Sequence, residues 1–148
     1  MKASLLVIHG PNLNLLGSRE PEIYGTTTLA LINEQINQRA SQLGLKAHCI
    51  QTNYEGKIVD LLQESEHDYK VAILNPAAYT HTSIAIRDAI AAISIPVIEI
   101  HLSQISKRET FRHTSLTAPV CAGLISGFGA SGYLLAVEAA ALLLQTKA

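Results

Sequence analysis

The stretch Leu5–Gly25, LLVIHGPNLNLLGSREPEIYG, runs Leu5-Leu6-Val7-Ile8 straight into a loop rich in Gly, Pro and Asn. A short, unbroken aliphatic run that stops at Gly-Pro reads as a strand buried on both faces, the kind found in parallel sheets. The loop then presents Asn12, Arg19 and Tyr24 before a helix begins near Thr28. Loops at strand ends are where α/β proteins place their chemistry. A tyrosine serves as a base only if something cationic lowers its pKa from roughly 10, and Arg19 lies five residues from Tyr24. The competing reading is a surface loop with an arginine and a half-buried tyrosine.

Outward from this stretch, short apolar runs alternate with helical periodicity. Leu5–His9 reads as a strand. Leu29–Leu43 reads as a helix, with Leu29, Ile32, Ile36, Ala40 and Leu43 on one face and Gly44 as its stop. Lys46–Gln51 is a second strand and Lys57–Ser65 a helix striped by Ile58, Leu61 and Leu62. Val71–Leu74 is a third strand, ended by Asn75-Pro76. Thr82–Ile93 is a helix opened by Thr82 or Ser83, and Pro96–Ile100 a fourth strand. Ser106–Arg112 reads as a short helical turn, Val120–Ser126 as a fifth strand and Ala130–Gln145 as the closing helix. Five β-α units of this kind predict a flavodoxin-like, doubly wound α/β domain over 1–148. Its five-stranded parallel sheet is expected in the order 2-1-3-4-5, with helices on both faces.

The 148 residues suit one core, and with so few aromatics aliphatic side chains must fill it. A net charge of -1 with no basic run argues against nucleic-acid or anionic-membrane partners. No apolar stretch approaches the roughly 20 residues of a membrane span, and the N-terminus carries no leader pattern. The expectation is a cytoplasmic protein. Cys49 and Cys121 sit in apolar, strand-like segments and are read as buried free thiols.

Sites in such sheets form beyond the carboxyl ends of the strands, and the polar residues there cluster after strands 1, 3 and 4. Strand 4 ends in Glu99-Ile100-His101, and alternation puts Glu99 and His101 on one face. A carboxylate there holds the ring in place and favours its charged form, as a general acid requires. A purely structural Glu–His pair is the alternative. Asn75 and His81 bracket the loop into the next helix, where backbone amides of Thr82 and Ser83 can meet an anion. That loop reads equally well as an N-cap with a solvated histidine.

Arg108 and Arg112 lie four apart, fit for a carboxylate or for a surface salt bridge with Glu109. Gly127–Gly132 matches G-x-G-x-x-G. It is not in a first βα turn, however, and no acid follows about 20 residues on, so the glycines are read as serving a tight turn and close packing. No Walker pattern and no strand-borne lysine suited to a Schiff base occur. The absence of an acidic pair after strand 1 argues against a receiver domain. His9, His48, His67 and His113 have no evident partner and are read as structural or exposed.

Together, Gly10–Gly25, NPAAYTHTSIAIRD at Asn75–Asp88, EIHLS at Glu99–Ser103, RETFR at Arg108–Arg112 and GFGASGY at Gly127–Tyr133 resemble the type II 3-dehydroquinate dehydratases. The resemblance covers nearly the whole chain, in the family's order. It implies a cofactor-free, metal-free anti elimination of water from 3-dehydroquinate, giving 3-dehydroshikimate through an enolate, in aromatic amino-acid biosynthesis or quinate catabolism. It also implies roles. Tyr24 is the base and Arg19 lowers its pKa. Asn12 holds a water on the enolate, and His101, oriented by Glu99, protonates the departing hydroxyl. Asn75, His81 and Arg112 bind substrate hydroxyls, and the backbone of Leu102 and Ser103 takes the carboxylate. Asp88 reaches a neighbouring subunit's substrate in a homododecamer built as a tetramer of trimers.

Two departures from the family stand out: Gln104 where Asn is usual, and Tyr54 where many members have His. Two readings compete with the lyase. One is a non-catalytic module that binds a small anion or flavin. The other is a metal-dependent lyase using His81, Glu99 and His101.

Overall fold

The computed structural model of the chain describes residues 3–18, 20–24 and 26–146, the side chains of 24 and 146 excepted. Five strands, β1 (Ala3–His9), β2 (Leu45–Gln51), β3 (Val71–Asn75), β4 (Val97–His101) and β5 (Gly123–Ser126), form one sheet in the order β2-β1-β3-β4-β5. Every pairing is parallel. The helices are α1 (Pro21–Tyr24), α2 (Leu29–Gln42), α3 (Glu55–Asp68), α4 (Ile84–Ala92) and α5 (Ser131–Thr146). This is the doubly wound sheet that the alternation predicts.

Strand alternation divides the core in two. Leu5, Val7, Ile73, Ile98 and Ile100 pack under Ile32, Ile36 and Ala40 of α2 and Tyr133, Val137 and Ala140 of α5. Leu6, Ile8, Ala72, Leu74 and Val97 pack under α3 and α4 through Ile58, Leu62, Ile86 and Ile90. Helices α2 and α4 start at side-chain caps. Thr28 Oγ1 accepts the Leu31 N–H (3.2 Å) and Ser83 Oγ accepts the Ile86 N–H (2.9 Å). No helix among the described residues is long and apolar enough to cross a membrane.

Three local expectations are corrected. Ser106–Arg112 is not one helical turn but two 3-10 turns, Ile105–Lys107 and Thr110–Arg112, parted by extended backbone at Arg108 and Glu109. The fifth strand starts at Gly123 rather than Val120, because Ala118–Val120 forms a 3-10 turn around Pro119, which has no N–H for a ladder. Cys121 therefore lies outside the strand. Both cysteines are half-buried free thiols, and burial pushes each up to about 12.

Candidate active site

The strand register sets the site's frame. His9 pairs with Asn75, and His101 with Ser126, at the carboxyl edge of the sheet. Asn75 shares a face with Ile73 on the α2/α5 side, whereas Glu99 and His101 share one with Val97 on the α3/α4 side. The cleft therefore straddles the sheet edge. Its volume is about 190 Å³, and Asn12, Asn75, His81, His101, Leu102, Ser103, Arg108 and Arg112 all line it. Asn12 and Ala77, also in the lining, hold left-handed backbone at φ 69 and 51, a strain that surrounding contacts must hold in place. Asn12 is anchored by its N–H to Asn53 Oδ1 (3.0 Å) and Ala77 by its N–H to Asn75 Oδ1 (3.0 Å). The close approach of β1 to β3 requires Gly10, where a Cβ would stand 2.8 Å from the Asn75 carbonyl oxygen.

Glu99 is fully buried behind His101 and accepts from its Nε2 at 2.8 Å. Three hydroxyls surround the same carboxylate. Thr80 Oγ1 and Ser115 Oγ each reach Oε2 at 2.9 Å, and Thr117 Oγ1 donates to Oε1. Burial favours the neutral acid here. Hydrogen bonds from His101, Thr117 and Thr80, with the attraction of the imidazole, outweigh it and hold the carboxyl below its usual range. An ionised Glu99 can only accept, so Nε2 of His101 carries the proton and Nδ1 is the nitrogen left for chemistry. His81 is fixed in the opposite tautomer, since its Nδ1 bonds the Thr114 carbonyl at 2.8 Å.

Thr114–Thr117 thus braces both histidines. The same segment ties back through the Leu116 N–H to Thr80 O (2.6 Å) and through Arg87 to Leu116 O (2.9 Å). Sequence reading passed over these residues because a polar loop has no period. Both arginines line the cleft while pairing with Glu109, at 3.6 Å for Arg108 and 3.2 Å for Arg112. The salt-bridge and ligand readings are therefore compatible. Asp88 stands exposed on α4, outside this lining. Arg19 and Gly25 lie outside the described residues. Tyr24 closes α1, and its side chain lies outside them too.

His9 is buried and structural, as read, with partners the sequence does not reveal: Tyr133 at 2.8 Å and Asn33 at 2.7 Å. His48 meets Tyr69 at 3.1 Å, and His113 the Arg108 carbonyl at 2.7 Å. The glycines of the closing motif do serve a turn and close packing. Gly127 and Gly129 have φ of 98 and 59, and a Cβ on Gly132 would meet Ile100 Cδ1 at 3.2 Å. No group of three metal-binding side chains converges among the described residues, so the triad His81, Glu99, His101 is not assembled as a ligand set.

The model of the family "Dehydroquinase class II" matches residues 3–141. The chain belongs to that family. A class II dehydroquinase fold is equally evident in solved structures. The type II dehydroquinase from Propionibacterium acnes superposes with a TM-score of 0.92 at 39% identity, covering 96% of this chain and 98% of that one. The 3-dehydroquinate dehydratase of Ruegeria pomeroyi is 54% identical over 97% of each chain. That of Bacillus cereus strain B4264 is 56% identical over 91% of this chain and 92% of its own. Against the family's usual pattern, Gln104 lines a neighbouring cleft, where a Cβ added at Gly127 would stand 3.2 Å from the Gln104 Cβ. Tyr54 is largely exposed. Neither lines the cleft that holds His101.

Proposed function

We propose that this class II dehydroquinase removes water from 3-dehydroquinate to give 3-dehydroshikimate, through an enolate and with anti stereochemistry. The observation that carries the reading is the Glu99–His101 pair, buried at its carboxylate end and facing a cleft at its imidazole end. Such a pair suits a general acid. Glu99 holds Nε2–H, so a proton on Nδ1 is the one available to a departing hydroxyl.

The remaining roles follow from the chemistry of the substrate. The C–H beside the ketone is weakly acidic, so a base and a stabilised enolate are both needed. Tyr24, as tyrosinate with Arg19 beside it, takes that proton. The electron pair moves into the enolate, whose oxygen is met by a water on Asn12. The pair then returns to form the C=C bond as the C–O bond breaks, and the hydroxyl leaves as water with the His101 proton. Asn75, His81 and Arg112 hold the hydroxyls, and the amides of Leu102 and Ser103 receive the carboxylate. No metal or cofactor enters any step. The working form is a cytoplasmic homododecamer, a tetramer of trimers, in which Asp88 reaches the substrate of a neighbouring subunit.

The test is ultraviolet detection of the conjugated enone product with excess chelator present. Wild-type protein should turn over. Tyr24→Phe and His101→Ala should each lose about a hundredfold or more in kcat with unchanged circular dichroism. Near-normal turnover in either variant would overturn the role assignment. A folded wild-type protein that binds 3-dehydroquinate without forming product would be a binding module instead.

A further inference from the structure

We propose that His9 and Tyr133 are positioning residues for this cleft. Through one hydrogen-bond chain of fixed direction, they hold the Asn75 amide with an N–H toward the ligand. The proposal rests on the reading of the cleft as the substrate site. Its direction follows from counting protons, beginning at the end that admits no choice. The Ala77 backbone N–H can only donate, so the Asn75 atom it meets at 3.0 Å is Oδ1. Nδ2 therefore faces the Tyr133 hydroxyl at 3.2 Å and donates to it. The Tyr133 proton must go elsewhere, and His9 Nδ1 stands 2.8 Å away to accept it. A bare Nδ1 places the ring proton on Nε2, which donates to Asn33 Oδ1 at 2.7 Å.

Every link agrees with its neighbours. A reversed Asn75 amide would set N–H against N–H at Ala77. The groups keep the protonation states that the chain demands. Burial pushes the His9 imidazole down to about 4, against the pull of the Asn33 hydrogen bond, so the ring is neutral. Burial also pushes up Tyr133 and, near it, Cys49, the latter to about 12. His9, Tyr133 and Asn75 come from β1, α5 and β3 and are all buried, His9 edge-on to Tyr133 with ring centroids 5.1 Å apart.

One Nδ2 hydrogen of Asn75 remains, on a side chain that lines the cleft. At Asn75 the cleft is offered that N–H. It takes a hydroxyl, ketone or carboxylate oxygen.

A double-mutant cycle on the intact enzyme tests this, with KM and kcat measured for wild type, Tyr133→Phe, Asn75→Ala and the pair. Tyr133→Phe should raise KM about tenfold and leave kcat within about threefold. That rise should vanish in the Asn75→Ala background. A merely structural role would lower the active fraction, and so the apparent kcat, without moving KM. An unchanged KM, or the same rise in both backgrounds, would overturn the proposal.

If Tyr133→Phe fails to fold, Asn33→Asp carries the test. A carboxylate at Nε2 favours the imidazolium, and Nδ1 then cannot accept from Tyr133. The ratio of variant to wild-type KM should climb as the pH falls from about 8 to about 6; a flat ratio refutes the chain. Wild-type turnover in the same assay keeps the two ideas apart. With turnover present and KM unmoved, only the positioning role falls; without turnover, both do.

Discussion

Acid should destabilise this protein through His9. The ring is fully buried between β1, α2 and α5 and held neutral, its pKa lowered from 6.5 to about 4 by burial, with the Asn33 hydrogen bond opposing. The unfolded chain takes up a proton below pH 6.5 that the folded chain refuses until about pH 4. Stability is therefore unaffected by this group above pH 6.5, falls as pH drops through the interval, and levels off below it. At about 1.4 kcal/mol per pH unit, the loss relative to pH 7.5 reaches about 2 kcal/mol at pH 5 and about 3 kcal/mol at pH 4. Glu99, held below its usual 4.5, acts in the same direction but only at lower pH, so pH 7.5 to 5 isolates the histidine. Urea unfolding followed by far-ultraviolet circular dichroism, at one protein concentration, should show the midpoint falling by about 1 M across that range. His9→Gln keeps an acceptor for Tyr133 and does not titrate, so it should lose most of that slope. An equal slope in wild type and His9→Gln would refute the reasoning.

Two further outcomes follow from the site's supports. Thr117→Val removes a donor from the Glu99 carboxylate with little change of shape, so kcat should drop about tenfold while KM holds. Thr117→Ser should restore it, and steady-state kinetics of the three proteins decides the matter. Gly10→Ala would press a Cβ to within 2.8 Å of the Asn75 carbonyl oxygen and 2.9 Å of Pro76 backbone atoms. Since backbone cannot swing aside as a side chain can, calorimetry should find a loss of about 2 kcal/mol or more.

The sheet was legible because both periods were clean. Leu5 to Ile8 alternate between two buried layers, and α2 shows its stripe at Ile32, Ile36 and Ala40. Failures came where a local signal misled. Arg108 and Arg112 have helical spacing, but Glu109 draws both arginines toward itself across extended backbone. Val120 is β-branched and apolar, yet Pro119 keeps it in a turn. At the site, Asn75, Glu99 and His101 were legible because strand ends can be located and alternation orients them. Their supports were not. Tyr133 meets His9 across 124 positions of sequence, and the hydroxyls of Ser115 and Thr117 reach Glu99 from a loop whose composition marks it only as polar.

Those supports share a logic that bears on how the cleft works. Among the described residues, no buried side-chain nitrogen or oxygen lacks a partner. Yet Asn75, His101 and His81 each keep a hydrogen-bonding position that these partners do not use. Asn75 commits Oδ1 to Ala77 and one N–H to Tyr133, leaving one N–H. His101 commits Nε2 to Glu99, leaving Nδ1, and His81 commits Nδ1 to Thr114, leaving Nε2. Each partner is itself held by another element, so none of the three can rotate to satisfy itself in an empty site. A ligand that completes all three meets groups already oriented, and little reorganisation remains for the moment of reaction. The two imidazoles present opposite nitrogens, so one sheet edge can set a proton donor and an acceptor on the same small molecule without either ring turning.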